Sequence, residues 1–151
     1  MTRILLVSGL LIVILLIVVF LLRGPQKIGV QNNLRVGGHQ YSVEIADTII
    51  KQARGLSGRA SLAEGSGMLF AFKSASMQSF WMKDMRFPID FVWINSGKVI
   101  GVTENVPFVP WYATQSPPSP TDMVFELNAG TVAKDGIRVG DVVELKYENS
   151  Y

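Results

Sequence analysis

An unbroken apolar stretch runs from Ile4 to Leu22, interrupted only by Ser8 and Gly9, with Arg3 ahead of it and Arg23 and Lys27 behind. As a helix rising about 1.5 Å per residue it extends roughly 28 Å, close to the roughly 30 Å of a bilayer's hydrocarbon core. Leu, Ile, Val and Phe each favour insertion by about 0.3 to 0.6 kcal/mol at a helix centre, so a transmembrane helix is expected. The segment Phe20-Leu21-Leu22-Arg23-Gly24-Pro25 stands where a secretory signal would place its small-residue cleavage site, which favours an uncleaved signal anchor. Basic residues flank both ends, and the short tail ahead of Arg3 resembles the start of a bacterial signal anchor. The amino terminus is therefore expected inside, and the rest of the chain on the outer, extracytoplasmic face of the cell membrane. This divides the chain into an anchor over 1–23, a linker over 24–29 and one domain over 30–151.

The basic balance belongs to the anchor. Of 14 Lys and Arg, Arg3, Arg23 and Lys27 flank the span, leaving 11 against 12 Asp and Glu in residues 28–151, a formal charge of −1. A nearly neutral domain lacks the basic stripe that nucleic acid demands, so that class of partner is not expected. The chain has no cysteine. That is compatible with an oxidising compartment and excludes disulfides, thiolate metal sites and a cysteine nucleophile.

The domain is long enough for one core. Val30 to Val36 and Gln40 to Ala46 read as strands joined across Gly37-Gly38, a hairpin signal. Asp47 is positioned to cap a short helix over Thr48 to Arg54 that Gly55 ends. Extended segments follow at Gly67 to Phe72 and Met77 to Met82, and Ile89 to Ile94 pairs with Val99 to Thr103 through a turn at Asn95-Ser96-Gly97-Lys98, the pattern of a β meander. Val106 to Pro120 holds five prolines and should form a long loop, for want of amides to offer a sheet. A strand resumes at Met123 to Leu127. One or two helical turns over Ala129 to Asp135 and a tight turn through Gly136 to Asp141 then lead into a closing strand, Val142 to Tyr147. The class is mainly β, a small barrel-like or sandwich domain with short helical inserts.

Several motifs stand in order along this domain: Arg54-Gly55-Leu56, Gly67-Met68-Leu69-Phe70, Phe80-Trp81-Met82-Lys83-Asp84 with Pro88-Ile89-Asp90, Phe125-Glu126-Leu127 with Gly130, and Gly136-Ile137 with Gly140-Asp141. Together, from about Val36 to Leu145, they resemble the family called domain of unknown function 192. The resemblance implies a small, mostly β, barrel-like domain of bacteria and archaea, often behind a signal peptide or anchor. It brings no established activity, substrate or cofactor. Asp84 departs from the pattern, which usually has Asn there.

The densest chemistry lies between Phe80 and Asp90. If Met77 to Lys83 is a strand, alternation sends Phe80 and Met82 to one face and Trp81 and Lys83 to the other. With Asp90 on the next strand and Arg54 leaving the short helix, the residues Arg54, Trp81, Lys83 and Asp90 make a candidate site for a small polar ligand. The plainer alternative is a structural Lys83–Asp90 salt bridge with Trp81 in the core and Arg54 complementing the helix dipole. Met68, Met77, Met82 and Met85 suggest Cu(I) ligands only weakly, because Met also fills irregular cores. His39 is the single histidine and sits beside a turn, so a catalytic zinc site lacks its usual ligands. Ser76, with Lys83 or Lys98 as base, faintly resembles membrane signal peptidases, but the second lysine-bearing box of that family is missing. The preferred reading is a non-catalytic binding module for a small polar ligand, envelope glycan or partner protein, needing no cofactor or metal. The alternative is an envelope hydrolase with Asp90 and Lys83 as acid/base groups.

Overall fold

The computed structural model describes residues 32–147. The expected anchor, the linker and the first two residues of the domain lie outside the described residues, and among those described no helix is long and apolar enough to cross a membrane.

β1 (Asn32–Val36) and β2 (His39–Ala46) form the expected antiparallel hairpin, with Val36 opposite His39. Its two-residue turn places Gly37 at φ +56° and Gly38 at φ +88°, the left-handed pair that matches the twist of the flanking strands. α1 (Ile49–Arg54) follows and ends at Gly55. Its cap differs from expectation: the Thr48 hydroxyl accepts from the Lys51 amide at 3.3 Å, while Asp47 reaches the Lys51 ammonium at 2.7 Å. The helix begins at Ile49, so Thr48 rather than Asp47 occupies the position whose side chain meets the free amides.

β3 (Ser66–Ser76) lies parallel to β2, with Val43 opposite Gly67. β5 (Ile89–Asn95) and β6 (Lys98–Val106) make the second hairpin. The expected strand over Met77 to Met82 shrinks to β4 (Phe80–Trp81), paired only with β7 (Thr114–Gln115) from the proline-rich loop. Alternation still holds there, with Phe80 and Met82 turned toward the core and Met77, Trp81 and Lys83 exposed, but only Phe80 and Trp81 meet a strand to pair with. β8 (Thr121–Asn128) inserts between β3 and β5, α2 (Thr131–Asp135) follows, and β9 (Val143–Tyr147) pairs with β1.

The large sheet thus runs β6-β5-β8-β3-β2-β1-β9 and is not a simple meander. It curls into a half-barrel whose two edges meet. Lys98 bridges Val142, and the Val99 and Val143 amides donate across the seam to the Asp141 and Gly97 carbonyls, each at 2.9 Å. Alternation on the central strands builds two apolar clusters. One takes Leu69, Val92, Phe125 and Leu127 together with Val99 and Val143 from the two edge strands, and fills the inside of the curl. The other takes Met68, Phe70, Phe91, Trp93 and Val124, and is covered by Leu56 after α1 and by Met82. At about 1.5 to 3 kcal/mol per fully buried large side chain, both faces of the central strands contribute to holding the fold.

Candidate functional site

The second cluster is not sealed. Between α1 and β4 a cleft of about 290 Å³ opens onto it, walled by Phe70, Phe72, Phe80 and Trp81. Arg54, the last residue of α1, stands exposed at its mouth, and Glu126 of β8 lines its floor.

Glu126 is placed by strand parity. It sits opposite Met68 on β3 and Phe91 on β5, two residues beyond Val124 on the same face, and is 5 % exposed. Its carboxyl has no hydrogen-bond or ion-pair partner among the described residues. Burial without compensation disfavours the carboxylate, and the pKa is pushed up to about 8 from an ordinary 4.5. At neutral pH the group is therefore predominantly a neutral acid, able both to donate and to accept a hydrogen bond.

The polar groups around it are largely committed. Gln52 Nε2 donates to the Ala46 and Ala71 carbonyls at 3.2 and 2.8 Å, and Ser57 Oγ donates to the Lys83 carbonyl at 2.8 Å. Gln78 Nε2 donates to Ser76 Oγ at 2.6 Å, and no bond joins Ser76 to Lys83 or Lys98. The Arg54 guanidinium, like the Glu126 carboxyl, has no partner among the described residues, and the two do not pair with each other.

Of the residues picked out from the sequence, Arg54 and Trp81 line this cleft. Trp81 is 55 % exposed at the rim rather than in the core, and the Lys83 ammonium lies 5.9 Å from its ring centroid. Asp90 stands apart. It is fully buried, and its two carboxylate oxygens accept from the Asn105 amide at 2.7 Å and the Val132 amide at 2.9 Å. Its partners are backbone groups, and no Lys83–Asp90 ion pair forms. Met82 is buried in the apolar cluster and Met77 is exposed, and no group of three or more His, Asp or Glu among the described residues is arranged to hold a metal ion.

Glu126 was not among the site residues read from the sequence, although it lies inside one of the motifs. The one signal for it was a single carboxylate within the apolar run Met123 to Leu127. A strand apolar on both faces offers no solvent side for such a group, and a buried polar side chain is the informative exception.

The fold recurs in solved structures. A Sinorhizobium meliloti 1021 protein, provisionally described as a transcription regulator, is 32 % identical with a TM-score of 0.70, over 78 % of this chain and 96 % of that one. A Novosphingobium aromaticivorans DSM 12444 protein of unknown function is also 32 % identical with a TM-score of 0.70, over 79 % and 89 %. No curated protein matches the chain. The model of the family domain of unknown function 192, described as "Uncharacterized ACR", matches residues 32–145, and the chain belongs to that family.

Proposed function

We propose that this domain is a non-catalytic binding module, held on the outer face of the membrane by residues 4–22, that takes a small polar ligand with an apolar body into the cleft between α1 and β4. One observation carries the reading: a buried, unpartnered Glu126 on the floor of an aromatic-walled opening. An unpaired buried polar group costs about 1 to 3 kcal/mol, a cost that a ligand's own donor or charge removes. Mostly apolar walls with a few convergent polar groups are the usual make-up of a small-molecule site. The hydrolase alternative draws less support, since the Asp90 oxygens are held by backbone amides and Asp90 does not line the cleft. The provisional description of the Sinorhizobium relative as a regulator is not carried over, because residues 28–151 are nearly neutral and offer no basic excess for nucleic acid.

Thermal unfolding of the full chain in mild detergent, against a panel of envelope sugars, organic acids, amines and amino acids, tests this. A ligand at one hundred times its Kd stabilises the folded state by about 2.7 kcal/mol. The expected result is a dose-dependent rise in Tm that Glu126→Ala and Trp81→Ala both abolish. A flat response across the panel, or a rise indifferent to both substitutions, overturns the reading.

A further inference from the structure

Resting on the binding-module reading, we infer that the cleft recognises a small zwitterion of the α-amino acid type with an apolar side group, its ammonium against Glu126 and its carboxylate against Arg54. The cleft presents two opposite, unpartnered ionisable groups, one buried at the floor and one exposed at the mouth, that do not reach each other. A simple amine would satisfy the floor and set a second positive charge beside Arg54. A simple carboxylate would satisfy Arg54 and leave the floor acid buried without a partner. A neutral polyol would hydrogen-bond the acid and leave the guanidinium unused. Only a ligand carrying both charges compensates both ends, while Phe72, Phe80 and Trp81 receive its apolar body. Guanidinium also matches carboxylate with two parallel N–H donors, which fixes the ligand's direction in the cleft.

Binding of such a ligand is coupled to a proton. The charged groups that could compete at Glu126 are few. Met68 and Phe70 of β3, Phe91 of β5, and Phe80 and Trp81 of β4 are uncharged; of the two cations of α1, Arg54 lines the cleft and Lys51 is paired with Asp47; and Asp90 of β5 is occupied by the Asn105 and Val132 amides. The free floor acid therefore holds its proton at pH 7, and an arriving ammonium favours the carboxylate. The Glu126 O–H bond breaks, its proton passes to solvent, and the ammonium keeps all of its own. Binding at pH 7 thus releases close to one proton, and affinity rises with pH until Glu126 is ionised in the free domain and falls again where the ligand's ammonium titrates.

Isothermal titration calorimetry of the full chain in mild detergent, in two buffers of different ionisation enthalpy, tests this with four probes: L-phenylalanine, 3-phenylpropanoate, 2-phenylethylamine and methyl α-glucoside. Phenylalanine is expected to bind at least about tenfold tighter than either singly charged analogue, with proton release. Arg54→Gln should reduce its affinity to that of the amine. Glu126→Gln should reduce it to that of the acid and abolish proton release, with circular dichroism showing that each variant is folded. Binding of the amine or the acid as tight as that of phenylalanine, or binding of the glucoside alone, overturns the zwitterion while leaving a binding module standing. Binding of phenylalanine without proton release also overturns it. No heat from any of the four overturns the zwitterion, and if the wider thermal panel is flat as well, the binding module falls with it.

Discussion

The Asp90 carboxylate accepts the Val132 amide at 2.9 Å across 42 residues of chain, joining the first turn of α2 to β5. Its other oxygen takes the Asn105 amide on β6, so one buried side chain holds three elements together. Two charge-assisted bonds to amides that would otherwise be orphaned make Asp90 a structural anchor.

Asp90→Asn should therefore lower the stability of the domain by on the order of 3 kcal/mol, because the amide NH₂ replaces an acceptor and faces a backbone donor. Lys83→Ala, which removes only an exposed ammonium beside Trp81, should stay within about 0.5 kcal/mol of the parent. Urea unfolding midpoints of the two variants measure the contrast. A loss from Lys83→Ala as large as that from Asp90→Asn would show that the ammonium does more than rest beside Trp81.

Stability should fall as pH rises from about 5 to 8. In the unfolded chain the Glu126 carboxyl loses its proton near its ordinary 4.5, whereas in the fold it holds it to about 8. Across that window the native state binds a proton that the unfolded state does not, so each step up in pH favours unfolding, and the loss is complete above the folded value. At about 1.4 kcal/mol per tenfold in proton affinity, the effect is a few kcal/mol, or on the order of 10 °C in Tm. The lowered carboxyls of Glu44 beside Arg59, Asp47 beside Lys51 and Glu64 beside Lys134 act in the opposite sense and at more acid pH. Differential scanning calorimetry at pH 5 and pH 8.5 should show the drop, and Glu126→Gln should remove most of it.

Gly67→Ala should be strongly destabilising. A Cβ at Gly67 would overlap the edge of the Phe125 ring at Cε2 and lie 2.6 Å from the Glu126 carbonyl oxygen, both on the neighbouring strand β8. Relief requires parting two central strands, at a cost of roughly 3 kcal/mol. The check is Tm together with the near-ultraviolet aromatic signal. A variant as stable as the parent would show that β3 and β8 can separate cheaply.

Asp84 adopts φ +58° in the loop after β4, where its carbonyl accepts the Gly58 amide at 2.8 Å. Short polar side chains tolerate this left-handed region and β-branched ones do not. Asp84→Asn, the residue more usual in the family pattern, should be neutral to slightly stabilising, and Asp84→Val should cost about 1 to 2 kcal/mol. Chemical denaturation of both variants gives the comparison.

Much of the fold was legible because its signals are local. Gly37-Gly38 specified the first hairpin and Asn95 to Lys98 the second, and both hairpins form, although the second tightens to a Ser96-Gly97 turn and shifts register between Trp93 and Ile94. What could not be read was partnership. Nothing in the run Met123 to Leu127 says that β8 inserts between β3 and β5, since alternation reports which residues share a face and not which strand lies beside them. The same limit hid the site. Arg54 and Trp81 were visible as a cation at a helix end and an aromatic in a polar stretch, and they line the cleft. Asp90, equally visible, is bonded to amides 15 and 42 residues away.

The sequence by itself determined the apolar stretch of residues 4–22, the near neutrality of residues 28–151, the turns, and which side chains share each strand face. Those properties depend on residue identity and on spacings of a few residues. Only the tertiary structure decided that both faces of β8 are covered, and with that the state of Glu126. A carboxyl's proton affinity depends on whether water or partners reach it, and here the chain segments that exclude water, α1, β4 and the flanking strands, come from distant parts of the sequence.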